Sequence, residues 1–170
     1  ARFVDRIEVP TFIAGAWQDE QTGGHWPEMI ANFPKDIPLR VTAQNGTHTD
    51  SLDPEVVTRQ LEFLDFYVAR RIPEISPQLR GLAPQLWAQI TGLTDVPVPA
   101  DRFSDFTSYR TALKSFEAEP RVRILWENGA KPGASAGSPL PAAETTAPAW
   151  PLPGTKAKVL YLAADGSLQN

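Results

Sequence analysis

The chain has 170 residues, of which 42% are apolar and 21% charged; it carries a net charge of −4 and no cysteine. This composition excludes a disordered tail and a disulfide-stapled miniprotein, along with thiolate and cysteine–zinc chemistry. No apolar run reaches the ~18 residues of a membrane span, and the acidic balance argues against nucleic acid as a partner. The 17 prolines are about twice the usual share.

The chain opens Ala1-Arg2-Phe3, with no Met and no basic and apolar leader. It is expected to begin inside a longer protein or after a processing site. Ile7 to Ala14 is a short apolar run rich in β-branched residues, ending at Gly15, and reads as a buried strand. Trp17 to Gly24 is a loop by composition. From His25 to Phe33 the spacing of Trp26, Met29, Ile30 and Phe33 predicts a short helix. Pro34 and Pro38 bound a turn, and Leu39 to Ala43 reads as a second strand.

A polar loop, Gln44 to Ser51, leads to the clearest helix. Asp53 is placed to cap it, Pro54 suits its first position, and Glu55 suits the positive end of its dipole. Val57, Leu61, Leu64 and Val68 recur as one apolar face, widened by Phe63, Phe66 and Tyr67. Ile72-Pro73 ends it. The alternation over 1–73 predicts an α/β fold with parallel strands, and two such strands need neighbours to form a stable sheet.

Residues 74–118 predict amphipathic helices bridging two architectures. Leu79, Leu82, Leu86, Ile90 and Leu93 share a helical spacing, with Pro84 expected to start a fresh helix; Ser104 to Glu117 predicts another. Val122 to Glu127 and Lys158 to Ala163 read as strands of a separate, incomplete β domain over 119–170. Between them, Gly129–Gly154 holds 6 Pro, 4 Gly and 7 Ala in 26 residues and reads as a loop. Arg121 and Arg123 alternate on the first of these strands and read as a solvated face.

Asp19 follows the first strand and His48 the second. Ligands bind beyond the carboxyl ends of parallel strands, and neighbouring strands lie ~4.8 Å apart, so adjacent strands would bring the two side chains to one rim. A carboxylate accepting one imidazole N–H fixes the tautomer and leaves the other nitrogen as a general base. The bland alternative is a solvated Asp and an unrelated loop His. His25 with Glu28 makes an i, i+3 pair. A metal site of His25, His48 and Asp19 is conceivable, but His25 reads better as a solvent-facing residue at a helix start, and no cofactor or metal is expected. Trp17 and Trp26 flank the acid loop as candidate substrate-pocket walls or as ordinary packing.

Val9 to Asp19, with its Gly15-Ala16-Trp17-Gln18-Asp19 ending, and Gly46-Thr47-His48 before a long helix, resemble the cocaine-esterase and X-Pro dipeptidyl-peptidase family of α/β-hydrolases. Pro120 to Gly129, Trp150-Pro151-Leu152-Pro153 and Tyr161 to Leu168 resemble the opening of that family's jelly-roll domain. The resemblance implies the C-terminal part of a hydrolase sheet over 1–73, a helical bridge over 74–118 and the start of a jelly roll over 119–170. It implies Asp19 as the catalytic acid and His48 as the base of a Ser-His-Asp triad, acting on a small ester or amide substrate. Ala16 stands where the family often has Gly.

The family's nucleophile is a Ser in a Gly-x-Ser-x-Gly elbow upstream of both. Gly133-Ala134-Ser135-Ala136-Gly137 matches that string, but it lies in a Pro/Gly/Ala-rich loop, comes after the acid and the histidine, and has Ser138-Pro139 where a helix should start. Ser135 is therefore not expected to be the nucleophile. The partners expected are the remainder of the same hydrolase and, as an option, further copies of the chain. The alternative function is a non-catalytic binding or scaffold piece with a carbohydrate-binding-like jelly roll.

Overall fold

The computed structural model describes residues 3–169. Its centre is a four-stranded sheet of β1 (Thr11–Ala16), β2 (Leu39–Gln44), β3 (Val122–Asn128) and β4 (Pro141–Ala147), in that spatial order. The first three strands are mutually parallel and β4 is antiparallel to β3. Three helices lie in the β2–β3 crossover: α1 (Pro54–Leu64), α2 (Pro77–Thr91) and α3 (Tyr109–Ala118). A two-stranded pair, β5 (Tyr161–Leu162) and β6 (Leu168–Gln169), comes last.

β1 starts at Thr11 rather than Ile7, where the Thr11 N–H reaches the Pro38 carbonyl at 2.9 Å; Pro10 before it has no N–H to offer. The segment after His25 is a 3₁₀ helix, Trp26–Asn32, instead of an α-helix. β2 is buried along its whole length. Its Leu39, Val41 and Ala43 join Ile30, Phe33, Val122 and Ile124 in one core.

α1 begins as the sequence predicts. Pro54 is its first residue, and the Asp53 carboxylate accepts the Glu55 N–H at 2.7 Å. The buried face keeps the expected Phe63 and Phe66 but not the whole aliphatic repeat. Val56, Phe63 and Phe66 point inward, whereas Leu64 and Val68 are exposed. A π turn over Asp65–Ala69 takes up one extra residue and shifts the residues after Leu64 around the helix axis. Phe66 thereby lands on Phe103 and Phe116, with ring centroids 5.0 and 4.8 Å away. Aromatic packing decides the face over the aliphatic repeat, because each ring removes more area from water.

Asp53 carries a testable consequence. Burial pushes its carboxyl up to about 7, opposed by the Glu55 N–H and Arg123 and reinforced by Glu55 and Asp50, and its Oδ2 has no partner among the described residues. The folded state then holds a proton that the unfolded state releases near pH 4, so stability falls as pH rises from about 4 to 7. Asp53→Asn keeps a good cap and is expected to flatten that part of a melting-temperature profile against pH.

α2 runs straight through Pro84, contrary to the fresh helix expected there, and buries only Ala83 and Trp87. The predicted stripe of Leu79, Leu82, Leu86 and Ile90 is exposed. α3 starts at Tyr109, so Ser104 to Ser108 precede it. β3 does not open a separate β domain: it is the third parallel strand, with Val41 opposite Val122. The expected loop over Gly129–Gly154 contains β4, whose residues pair with β3 from Val122↔Ala147 to Asn128↔Pro141. Its Ala- and Pro-rich sequence has low strand propensity; the ladder to β3, the Arg123–Glu144 ion pair and the Trp126–Thr145 bond supply the order instead. Of Lys158 to Ala163, only Tyr161–Leu162 is strand.

Candidate active site

β1 and β2 are neighbours in register, from Thr11↔Leu39 to Ala16↔Gln44. Their pairing continues past the strand ends. The Trp17 N–H reaches the Gln44 carbonyl and the Gln18 N–H the Gly46 carbonyl, both at 3.0 Å. Gln18 Nε2 also donates to Asn45 Oδ1 at 2.9 Å. The two loops therefore leave the rim side by side, and Asp19 meets His48.

Asp19 Oδ2 lies 2.9 Å from His48 Nδ1. Its other oxygen, Oδ1, accepts the N–H groups of Gln21 and Thr22 at 2.8 Å each. Those two bonds fold the loop around the carboxylate. The Asp19 side chain is 9% exposed and that of His48 is 43% exposed. The Thr22 N–H, together with the His48 ring and the Gln21 N–H, holds the Asp19 carboxyl far below the usual carboxylate range, outweighing the opposing effect of burial. Asp19 is thus ionised at any working pH and can only accept. Nδ1 must then carry the proton, and Nε2 of a neutral ring is the free base.

The histidine loop is built to hold this pose. Thr47 and Asp50 form a reciprocal capping box at the start of the 3₁₀ helix His48–Leu52. A Cβ on Gly46 would lie 1.7 Å from Asp50 Oδ2, so only glycine fits beneath the box. The His48 N–H is 3.4 Å from Glu20 Oε2, a second tie between the loops.

A hollow opens beside the pair, bordered by Asp19, His48, Trp26, Met29, Ser51 and the stretch Ile13–Ala16 of β1. The Trp26 indole N–H donates to the Ala16 carbonyl at 3.1 Å and its ring lies against Gly15, where a Cβ would be 2.6 Å from the ring. Gly15→Ala is expected to displace the indole and to destabilise the chain by about 1–3 kcal/mol, read as a lower denaturant midpoint with an unchanged slope.

Trp26 therefore stands at the site, as one of the two candidate wall residues. Trp17 does not: its ring stacks on Trp126 at 5.7 Å and leans on Trp150 at 6.3 Å, packed against the core. His25 is exposed and, among the described residues, meets only Glu28, at 3.3 Å. It does not converge with His48 and Asp19, and among the described residues no group of three His, Asp or Glu side chains is placed to hold a metal ion. Ser135 donates to Asp95 Oδ2 at 2.7 Å, beside a hollow that contains no histidine. The hydroxyl of Ser51 donates to the carbonyl of His48 itself, at 2.9 Å.

Sequence reasoning missed Glu20, Met29, Ser51 and the backbone of β1. The spacing Asp19 to Thr22 was the available signal for the tight loop, since an Asp side chain readily accepts N–H groups two and three residues on.

Fold and site together define an α/β protein with a carboxylate–histidine pair at the carboxyl rim of a mostly parallel sheet. No family model, curated protein or solved structure matches the chain.

Proposed function

We propose that this chain supplies the acid and the base of a serine hydrolase that cleaves ester or amide bonds, the nucleophile coming from polypeptide outside these 170 residues. The observation that carries the reading is the 2.9 Å contact between Asp19 and His48 at the rim, with the carboxylate fixed by two N–H groups. The resemblance of the two loops to the cocaine-esterase and X-Pro dipeptidyl-peptidase family points the same way. In that frame the whole four-stranded sheet, β3 and β4 included, is the C-terminal part of the hydrolase sheet.

In this reading the pair acts as general base and its orienting acid. His48 Nε2 takes the proton of the serine hydroxyl as its oxygen attacks the carbonyl carbon. Asp19 stabilises the imidazolium without taking its proton. The imidazolium then protonates the leaving alcohol or amine, and an acyl-enzyme is left. Water attacks that ester, His48 accepts its proton and returns one to the serine. The hollow along Ile13–Ala16 and Trp26 receives the acyl or leaving group.

A fluorophosphonate probe tests this reading. The 170-residue chain alone is expected to remain unlabelled, and the longer protein containing it to be labelled on a serine that lies before Asp19 in sequence. Labelling of the isolated chain on Ser51 or Ser135, or a longer protein that neither labels nor hydrolyses nitrophenyl esters and amides, would overturn it.

A further inference from the structure

Helix α2 turns an apolar face to solvent. Leu79, Leu82, Leu86 and Ile90 recur at intervals of three, four and four residues, which keeps them within an arc of roughly 80° on the helix. Each is between 41% and 54% exposed. The helix does not need that face to hold its place. Ala83 and Trp87 bury the neighbouring side. The Ser76 hydroxyl accepts the Leu79 N–H at 3.2 Å, and the Gly92 N–H closes the other end on the Ala88 carbonyl at 2.8 Å. The stripe is a capped and anchored ridge, and four large aliphatic side chains in one row on a surface mark a place of contact.

Charge and spacing decide what covers it. Gln78, Gln85 and Gln89 are exposed and run beside the stripe. Arg80 is the one charged residue of α2, and it is tied to the carbonyls of Ile75 at 3.0 Å and Pro99 at 3.1 Å. A helix that lies in a membrane surface carries lysines and arginines along its polar side, whereas this one carries glutamines. A net charge of −4 sets two copies of the chain against each other, and a neutral face is where they can meet. A two-fold contact also requires a patch that complements itself. Turned antiparallel about a point near Pro84 and Gln85, the helix sets Leu79 against Ile90 of the partner subunit and Leu82 against Leu86 of the partner subunit. The match is good to about one residue, a rise of about 1.5 Å. The same rotation brings the two glutamine rows to one side, with Gln85 opposite Gln85 of the partner subunit.

Area sets the strength of such a pair. Stripe and glutamines together offer about 500 Å² on each copy, so pairing removes about 1,000 Å² from water, the lower bound for a specific interface. That supports a reversible dimer and not an obligate one.

We infer that α2 is a homodimer interface of this chain, an antiparallel two-fold helix pair closed by Leu79, Leu82, Leu86 and Ile90, with a dissociation constant of about 10–100 µM. Neither the hydrolase reading nor its chemistry enters this inference.

Sedimentation equilibrium of the 170-residue chain, from about 1 µM to about 1 mM, tests it. The mass is expected to rise from 18.7 kDa toward twice that value. Leu82→Glu, at a position 54% exposed, is expected to weaken association at least tenfold while leaving the melting temperature of the dilute chain unchanged. Gln85→Glu and Gln85→Lys test the two-fold geometry. Each alone puts like charges face to face and is expected to weaken pairing at least threefold, and an equimolar mixture of the two is expected to restore it. A mass of 18.7 kDa at every concentration would overturn the inference. So would a Leu82→Glu chain that associates like the parent, or a mixture no tighter than either charged variant alone. A monomer that instead binds phosphatidylcholine vesicles, and loses that binding in Leu82→Glu, would overturn it in favour of a lipid surface.

Discussion

Replacing His48 by alanine is expected, under the proposed hydrolase function, to lower kcat by about 10⁴-fold or more with KM little changed, because the general base acts in the transition state and not in substrate binding. Asp19→Asn is expected to cost about 10⁴-fold as well, for a different reason. An amide at position 19 keeps the shape of the loop but can present an N–H to Nδ1, which moves the ring proton to Nε2 and removes the base. The two losses should not multiply in the double variant, since both remove one unit. Variants within tenfold of the parent in steady-state kinetics would contradict the assigned roles. Asp19, held far below the usual carboxylate range, also sets a sign. Its contribution to stability is in place above the ordinary carboxylate value near pH 4 and is lost only as pH falls through its depressed folded value. Mild acid therefore does not break the pair from the Asp19 side.

Removing Arg102 is expected to be the most damaging single change to the scaffold. Its guanidinium forks onto Glu62, through Nε at 3.1 Å and through Nη2, and its Nη1 holds Glu119. Glu62 is 2% exposed; burial pushes its carboxyl up, while Arg59 and the forked contact with Arg102 pull the other way and keep it a carboxylate at neutral pH. Arg102→Met leaves the buried acid without its main counter-charge and is expected to cost about 3 kcal/mol at neutral pH. A group whose folded value is raised loses stability as pH climbs from its unfolded value toward the folded one. The deficit should therefore shrink toward pH 5, where Glu62 in the variant is protonated. Adding Glu62→Gln should recover much of the loss. Urea denaturation of the two variants at pH 5 and pH 8 measures this, and a deficit independent of pH would contradict it.

The sequence made the rim legible because the local signals there agree. Apolar runs set β1 and β2, and Asp53-Pro54 starts α1. The sequence places Asp19 and His48 just past two strand ends, and the pairing of β1 with β2 then brings them together. The parts that were not legible depend on pairings between distant segments. β4 is drawn from a Pro- and Ala-rich stretch whose order comes from β3, and β3 reads alone as the start of another domain until its register with β2 is known. The inward placement of Phe66, just past α1, is set by a π turn that the 3.6-residue repeat does not anticipate. The withdrawal of the Arg123 side chain from solvent, where a solvated face is expected, was hidden for a related reason. Alternation on a strand tells which residues share a face, but whether that face meets water or helices is decided by the crossover.

The prolines, twice the ordinary share, divide in the same way. Pro10 and Pro38 lie just before β1 and β2, Pro54 and Pro77 begin α1 and α2, and Pro141 begins β4, so these mark element edges; Pro84, inside α2, is the departure.

Asp19 fixes the His48 ring with its proton on Nδ1 and Nε2 free. Two-bond proton–nitrogen NMR of the neutral imidazole, recorded on the 170-residue chain, reads this directly. The expected spectrum is that of the Nδ1–H tautomer for His48, exchanged for the Nε2–H tautomer or a mixture in Asp19→Asn, with His25 unaffected. A neutral His48 already protonated at Nε2 in the parent chain, or a tautomer indifferent to Asp19→Asn, would contradict it.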